Sequence, residues 1–405
     1  MKHLFICILL LTLLMREFFY FQERHIYKEN EPFKLSYSIL HEPKKNTISQ
    51  YFFADGVMVT TALYPSYHYG EKILIDGKVA KKLTKKGSLL VVENPKITRV
   101  ENHNLLLSFS KVVRQKVEGA VLYALPGREA GLLLGVILGV RDKIDNEYYE
   151  MLRNAGVLHV IAASGQNISI AAAMLLLIFD RITIRRVALL LTSLGVLVYA
   201  VLTGFDPPIV RASVMAILAF AALFSGRQAN GVYILFLTAW GMLIYQPQEL
   251  EDVSFQLSFL STFGILSVKP LLDRVLVWKH ISLIRDDITT TLSAQIATFP
   301  IMLASFGAYS LLSFPINILI LWTVPVIMIF GGLGGILSTV FAPLAVPFIL
   351  LCYPFLSYFT GVVVFFSSFH YQLSVDNVPI LVLVGYYLMF LAIVIRYSHF
   401  KFEKK

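Results

Sequence analysis

From residue 157 to residue 396 the chain is a succession of apolar runs parted by short polar connections. A run of roughly 17 to 25 apolar residues is long enough to cross a bilayer as a helix, the form in which an open segment satisfies its own backbone in hydrocarbon. The repetition predicts a polytopic α-helical membrane protein. Spans fall near 157–178, 187–204, 208–225, 231–246, 253–268, 288–307, 313–340, 343–368 and 378–396. The apolar segment 4–15 is followed by Arg16-Glu17-Phe18 instead of the small residues of a cleavage site, so residues 1–20 are expected to form a membrane anchor helix, for about ten helices in all. Only 15% of the residues are charged, too few for an ordinary soluble domain.

The net charge of +9 is unevenly placed. Connections after the spans starting at 157, 208, 253 and 378 carry Arg181, Arg185, Arg186, Arg227, Lys269, Arg274, Lys279, Arg285 and the basic tail 397–405. The alternate connections, 205–207, 247–252, 308–312 and 369–377, have no Lys or Arg but carry Asp206, Glu249, Glu251, Asp252 and Asp376. The positive-inside rule then gives one orientation, with both termini cytoplasmic. The connection near 342 is neutral and falls inside in this scheme.

Residues 30–103 differ in kind. Short β-prone runs (48–53, 57–63, 73–75, 89–92) alternate with turn signals, Asp55-Gly56 and Asp76-Gly77 among them. They predict a small, partly open β-barrel, lying outside in this orientation. Residues 104–156 read as amphipathic and re-entrant or surface-lying helices, since 129–139 is apolar but too short to span.

Several spans carry polar side chains that hydrocarbon solvates badly. Such groups persist where they face protein or a water-filled path. His159, Arg211, Gln256 and Asn317 each fall within about one turn of the outer end of a span that runs inward. Ser164 and Asn167 lie deeper, three apart and so on one helix face; Gln295 lies near mid-depth. Together they predict a polar funnel that is wide outside. Taken singly, each has a plainer reading. Arg211 near a helix end suits a snorkelling side chain or a pair with Asp206, His159 an interhelical hydrogen bond, and Ser164-Gly165 close packing. The glycines at 331, 332, 334 and 335 suit close helix approach, within the chain or in a homodimer. In the β region Lys78, Lys81, Lys82, Lys85 and Lys86 fall within nine residues, and Tyr64, Tyr67 and Tyr69 stand nearby. A solvated loop is the ordinary reading. Phosphate tracking with base stacking is the functional one.

No cofactor or metal is called for. The two cysteines, Cys7 and Cys352, sit in apolar runs, and no GxxxxGK[ST] motif occurs. A hydrolase with Ser164 as nucleophile and His159 as base fits poorly, because five residues place them about 140° apart around an unbroken helix. The chain is therefore expected not to be an enzyme.

Four ordered segments resemble the ComEC competence family. The first, Glu129–Ala173, contains His159, Ala162, Ser164, Gly165 and Asn167 in the pattern His-x-x-Ala-x-Ser-Gly-x-(His/Asn). The second runs from Leu202-Thr203-Gly204 to Arg211-Ala212-Ser213-Val214-Met215. The third is Ser254-Phe255-Gln256-Leu257-Ser258-Phe259, and the fourth takes in Gln295, Pro300, Gly307 and Asn317. Residues 30–103 are similar in position to the family's external OB-like domain. Pro207-Pro208 and Gln246-Pro247 depart slightly from the pattern. The resemblance implies an inner-membrane channel that brings single-stranded DNA into the cytoplasm during natural transformation. It implies an external DNA receptor and a cytoplasmic ATPase or helicase as partners. Many members add a metallo-β-lactamase-like domain. This sequence has no His-x-His-x-Asp-His cluster, so a separate nuclease is expected for the other strand. The alternative is a transporter or exporter of another polyanion or small solute on the same scaffold.

Overall fold

The computed structural model describes residues 2–23, 27–39, 43–45, 48–84, 87–100, 105–161, 164–275, 282–369, 372–375 and 378–399. Lys85, Lys86, Ala162, Lys279, Asp376 and the tail lysines lie outside the described residues.

Helix α1 (Lys2–Glu23) comes first. A β region follows, with β1 (Pro32–Ser38), β2 (Lys44–Lys45), β3 (Ser49–Ala54), β4 (Val57–Ala62), β5 (Lys72–Lys78), β6 (Ala80–Thr84), β7 (Gly87–Glu93) and β8 (Lys96–Val100). They form two sheets, in the orders β1-β5-β8 and β2-β3-β4-β7-β6. Alternation places Phe52 and Ala54 of β3, Val57 and Val59 of β4, and Ile73 and Ile75 of β5 in one shared core. The Asp55-Gly56 turn is as expected: both residues have positive φ, and Ala54 pairs with Val57 across it. Asp76-Gly77 is not a turn. Both lie within β5, where Gly77 pairs with Phe33 and a Cβ would come within 2.6 Å of Val92 Cγ1. The glycine answers a close approach between sheets, which a dipeptide turn signal does not distinguish.

Beyond the β region lie α2 (Leu105–Ala124), α3 (Gly127–Leu138), α4 (Asn146–Asn154) and α5 (Leu158–Ile161). In α2 the buried residues Leu107, Ser110, Val117 and Val121 recur at helical spacing, as an amphipathic helix requires. Every residue of α3 from Ala130 to Leu138 is buried, which excludes the surface-lying alternative for this segment. A helix apolar on all sides belongs inside a bundle.

The long helices are α6 (Gly165–Ile182), α7 (Arg185–Thr203), α8 (Pro207–Phe224), α9 (Gly231–Tyr245), α10 (Val253–Ser267), α11 (Lys269–Val275) and α12 (Ser282–Phe306). Strand β9 (Ala308–Ser310) precedes α13 (Ser313–Ile320), α14 (Thr323–Val340) and α15 (Ala342–Ser367). Strand β10 (Gln372–Ser374), which pairs with β9, precedes α16 (Ile380–His399). Among the described residues six helices are long and apolar enough to cross a membrane, or seven if the bent pair α10–α11 is one span; α9 and α16 are shorter apolar helices. The expected span 157–178 is divided between the short α5 and a long helix that begins only at Gly165, and 313–340 is interrupted at 321–322. Pro325 gives the reason for the second break: its ring and missing N–H disfavour helix through residue 321 but suit the first turn of a new one.

The β region is fastened to the bundle. Tyr69 Oη and Ser110 Oγ both donate to the Val201 carbonyl near the end of α7, at 2.9 and 3.1 Å. That carbonyl is among the last four of its helix, which lack intrahelical donors. The glycines of α14 are largely spent within the chain. Gly331 meets Leu133 of α3, Gly334 meets Ile349 of α15, Gly335 meets Val117 of α2, and Gly332 faces open space.

Candidate functional site

Ser164 is the N-cap of α6, with extended backbone (φ −106°, ψ 165°). A serine there ordinarily turns its hydroxyl onto the first-turn amides. Here it donates instead to Asn167 Oδ1 at 3.1 Å, and no side chain caps the helix. Asn167 is buried and donates Nδ2 to the Val136 carbonyl of α3 at 2.8 Å. The sequence spacing of this pair holds, but as a cap and first-turn contact, not as two positions along an unbroken span. Asn167→Ala removes the donor to the buried Val136 carbonyl and the acceptor of the part-buried Ser164 hydroxyl. It is expected to lower stability by about 1–3 kcal/mol, read as an earlier melt of the purified protein.

Arg211 enters from α8. Its side chain is 7% exposed and turns sideways onto α10. Nε donates to Ser258 Oγ at 2.6 Å, Nη1 donates to Thr262 Oγ1, and Nη2 lies against Gly165. The guanidinium also stands 5.9 Å from the centre of the Phe259 ring. The snorkelling reading fails, because the head is buried within protein. Pairing with Asp206 fails too: that carboxylate pairs with Arg141 at 3.9 Å. Among the described residues no carboxylate pairs with Arg211. Gly165, Ser164 and Asn167 of α6, Arg211 of α8 and Ser258 of α10 are thus brought together. Thr262 was not foreseen. It lies one turn beyond Ser258 on the same helix face, a signal that spacing carried.

A second polar group lies on α12 and α13. Gln295 Nε2 donates to Ser313 Oγ at 3.4 Å, and Ser313 donates to Tyr309 Oη at 3.3 Å. Gly156, with φ +72°, packs against Ser313, so the loop before α5 meets this group. Neither Ser313 nor Tyr309 was singled out in the sequence. Asn317 is buried one turn further along α13, and its Oδ1 has no hydrogen-bond partner.

Two residues of the expected funnel stand apart. Gln256 folds back to donate to Leu250 O at 2.8 Å, ahead of its own helix. His159 is exposed on α5, and among the described residues no hydrogen bond joins it to Ser164.

In the β region the described lysines of the run, Lys78, Lys81 and Lys82, occupy strand, not loop. Lys78 ends β5, while Lys81 and Lys82 alternate on edge strand β6, where Lys82 pairs with Glu93 at 3.1 Å. Charge on an edge also protects it from unwanted pairing. Tyr67 and Tyr69 are each 3% exposed and have no face to offer a base; Tyr64, 84% exposed, has one. Burial pushes the Tyr69 phenol up to about 12, against the opposing pull of Arg114 over its ring.

The architecture is that of a polytopic helical membrane protein with a small β domain and a buried, cation-bearing polar cluster between helices. A family model described as "Competence protein" matches residues 136–399, which take in every helix that contributes to the cluster. The chain belongs to the competence protein family. It is 28% identical over 214 residues to ComE operon protein 3 of Bacillus subtilis (strain 168), an alignment covering 53% of this chain and 27% of that protein. It is 32% identical over 123 residues to a protein of Aquifex aeolicus (strain VF5) described as uncharacterized, covering 30% of this chain and 29% of that one. The aligned region is thus under a third of either relative's length. No solved structure matches the chain.

Proposed function

We propose that the chain is a conduit in the bacterial inner membrane that passes one strand of DNA into the cytoplasm during natural transformation. The observation that carries this reading is the convergence of hydrophilic groups from α6, α8 and α10 on one buried cluster inside a family associated with competence. Hydrocarbon tolerates such groups where they serve a path. The docking of Tyr69 at the end of α7 supports an external β domain, because the adjoining connection 205–207 is one of those free of Lys and Arg. With that end outside, both termini are cytoplasmic.

In this reading the protein carries out no bond chemistry. An external receptor delivers DNA, a cytoplasmic ATPase or helicase supplies the work, and a separate nuclease removes the other strand. A clean deletion tests the reading with labelled donor DNA. DNA is expected to bind the cell surface and stay sensitive to added nuclease, with entry restored by the full chain. Normal entry of label in the deletion strain would leave only the alternative, export or transport of another polyanion or a small solute.

A further inference from the structure

The first-turn amides of a helix have no carbonyl one turn earlier to bond, and they carry the positive end of the helix dipole. In α6 these amides belong to Gly165 and Gln166, and the serine placed to cap them is turned away to Asn167. The same spot receives Arg211 Nη2, from a side chain more than nine-tenths buried. Two independent sources of positive potential therefore meet at the start of α6.

Ser258 and Thr262 accept hydrogen bonds from the guanidinium but carry no charge, and among the described residues no carboxylate pairs with it. A buried charge without a counter-ion is costly. If the cluster served packing alone, a neutral amide donor would reach the same two hydroxyls at lower desolvation cost. The arrangement suits an anion that visits, with planar N–H donors on one side and backbone amides on the other.

We propose that Arg211 and the α6 N-terminus form a binding site for a phosphodiester group of the passing strand, which completes the charge that the protein leaves open. The choice of a nucleic-acid phosphate over other anions rests on the conduit reading above.

The test uses the full chain in nanodiscs of zwitterionic lipid. Binding of a labelled single-stranded oligonucleotide is followed by anisotropy across a salt series. Arg211→Gln is expected to weaken binding about tenfold and to reduce the slope of log K against log salt by about 0.7, one phosphate contact on a single strand. Arg211→Lys keeps the charge but loses the fork, so the slope should hold while affinity falls on the order of threefold. With a methylphosphonate backbone, which lacks the charge, wild type and Arg211→Gln should bind alike. The proposal is overturned if a monodisperse Arg211→Gln protein keeps both slope and affinity. It is equally overturned if, in parallel discs doped with anionic lipid, the substitution changes only the retention of that lipid, which would make the site a headgroup site. Should Arg211→Gln fail to fold, Arg211→Lys decides: unchanged affinity there overturns the proposal. The conduit reading fails separately, in the deletion strain, if labelled DNA enters normally.

Discussion

Gly264→Val should yield no folded protein. Gly264 sits where α10 crosses α12, and a Cβ built on it comes within 2.5 Å of the Ser293 carbonyl oxygen and 2.6 Å of Ala297 Cβ. Neither neighbour can step aside, since one is helix backbone and the other a methyl carbon fixed to it. The two helices would have to separate, and with them Phe390 of α16, which shares a small core with Val268 and Ala297. Overpacking typically costs about 1–3 kcal/mol and more where no side chain can escape, a large part of the stability of most proteins. The readout is loss of the monodisperse peak after detergent extraction. Gly332→Ala is the control, because nothing lies within 4 Å of a Cβ there. A well-folded Gly264→Val protein would mean that α10 and α12 are not packed as described.

Gly165→Ala should do the reverse, sparing the fold and harming function. The atom that a Cβ at 165 meets is Arg211 Nη2, the far end of a flexible side chain. The arginine can give way, so the protein should still fold, at a cost no larger than that of the hydrogen bonds it strains. In giving way it leaves the start of α6 and strains its bonds to Ser258 and Thr262. A hydrogen bond to a charged group contributes about 1.5–3 kcal/mol, so uptake of labelled DNA is expected to fall roughly tenfold to a hundredfold. The measurement is nuclease-protected label in cells that produce the variant at wild-type level. Unchanged uptake would remove the Arg211–Gly165 contact from the path. The two glycine substitutions thus separate packing from passage: one collides with a rigid neighbour, the other with a mobile one.

Much of the membrane region was legible because hydrocarbon imposes a simple rule on length and polarity. Each expected span contains an apolar helix, and the caps Asn230 and Asp252 fix the starts of α9 and α10. Breaks inside the runs were harder to see. Hydropathy does not register that Ser164 is extended, nor that Pro325 sits in the first turn of a new helix. Ser164, Gly165, Asn167, Arg211 and Ser258 could be picked out as polar groups in apolar surroundings, but depth along a helix says little of direction around it. Gln256 shows the gap: at a depth similar to that of Arg211, it bends back to Leu250 instead of joining the cluster. The β region misled for another reason. Tyr67 and Tyr69 have the composition of a stacking surface, and only tertiary structure reveals that both rings are interior.

The carbonyl of Val201, shared by Tyr69 and Ser110, makes the β domain a poor candidate for exchange. A module swapped in from another protein would have to present a hydroxyl at the same height, or leave a helix-end oxygen with half its company. The β domain is accordingly less a tethered arm than a fixed porch on the helix bundle. Under the proposed function, a strand that arrives there meets the bundle at one angle, set by the architecture and not by chance encounter.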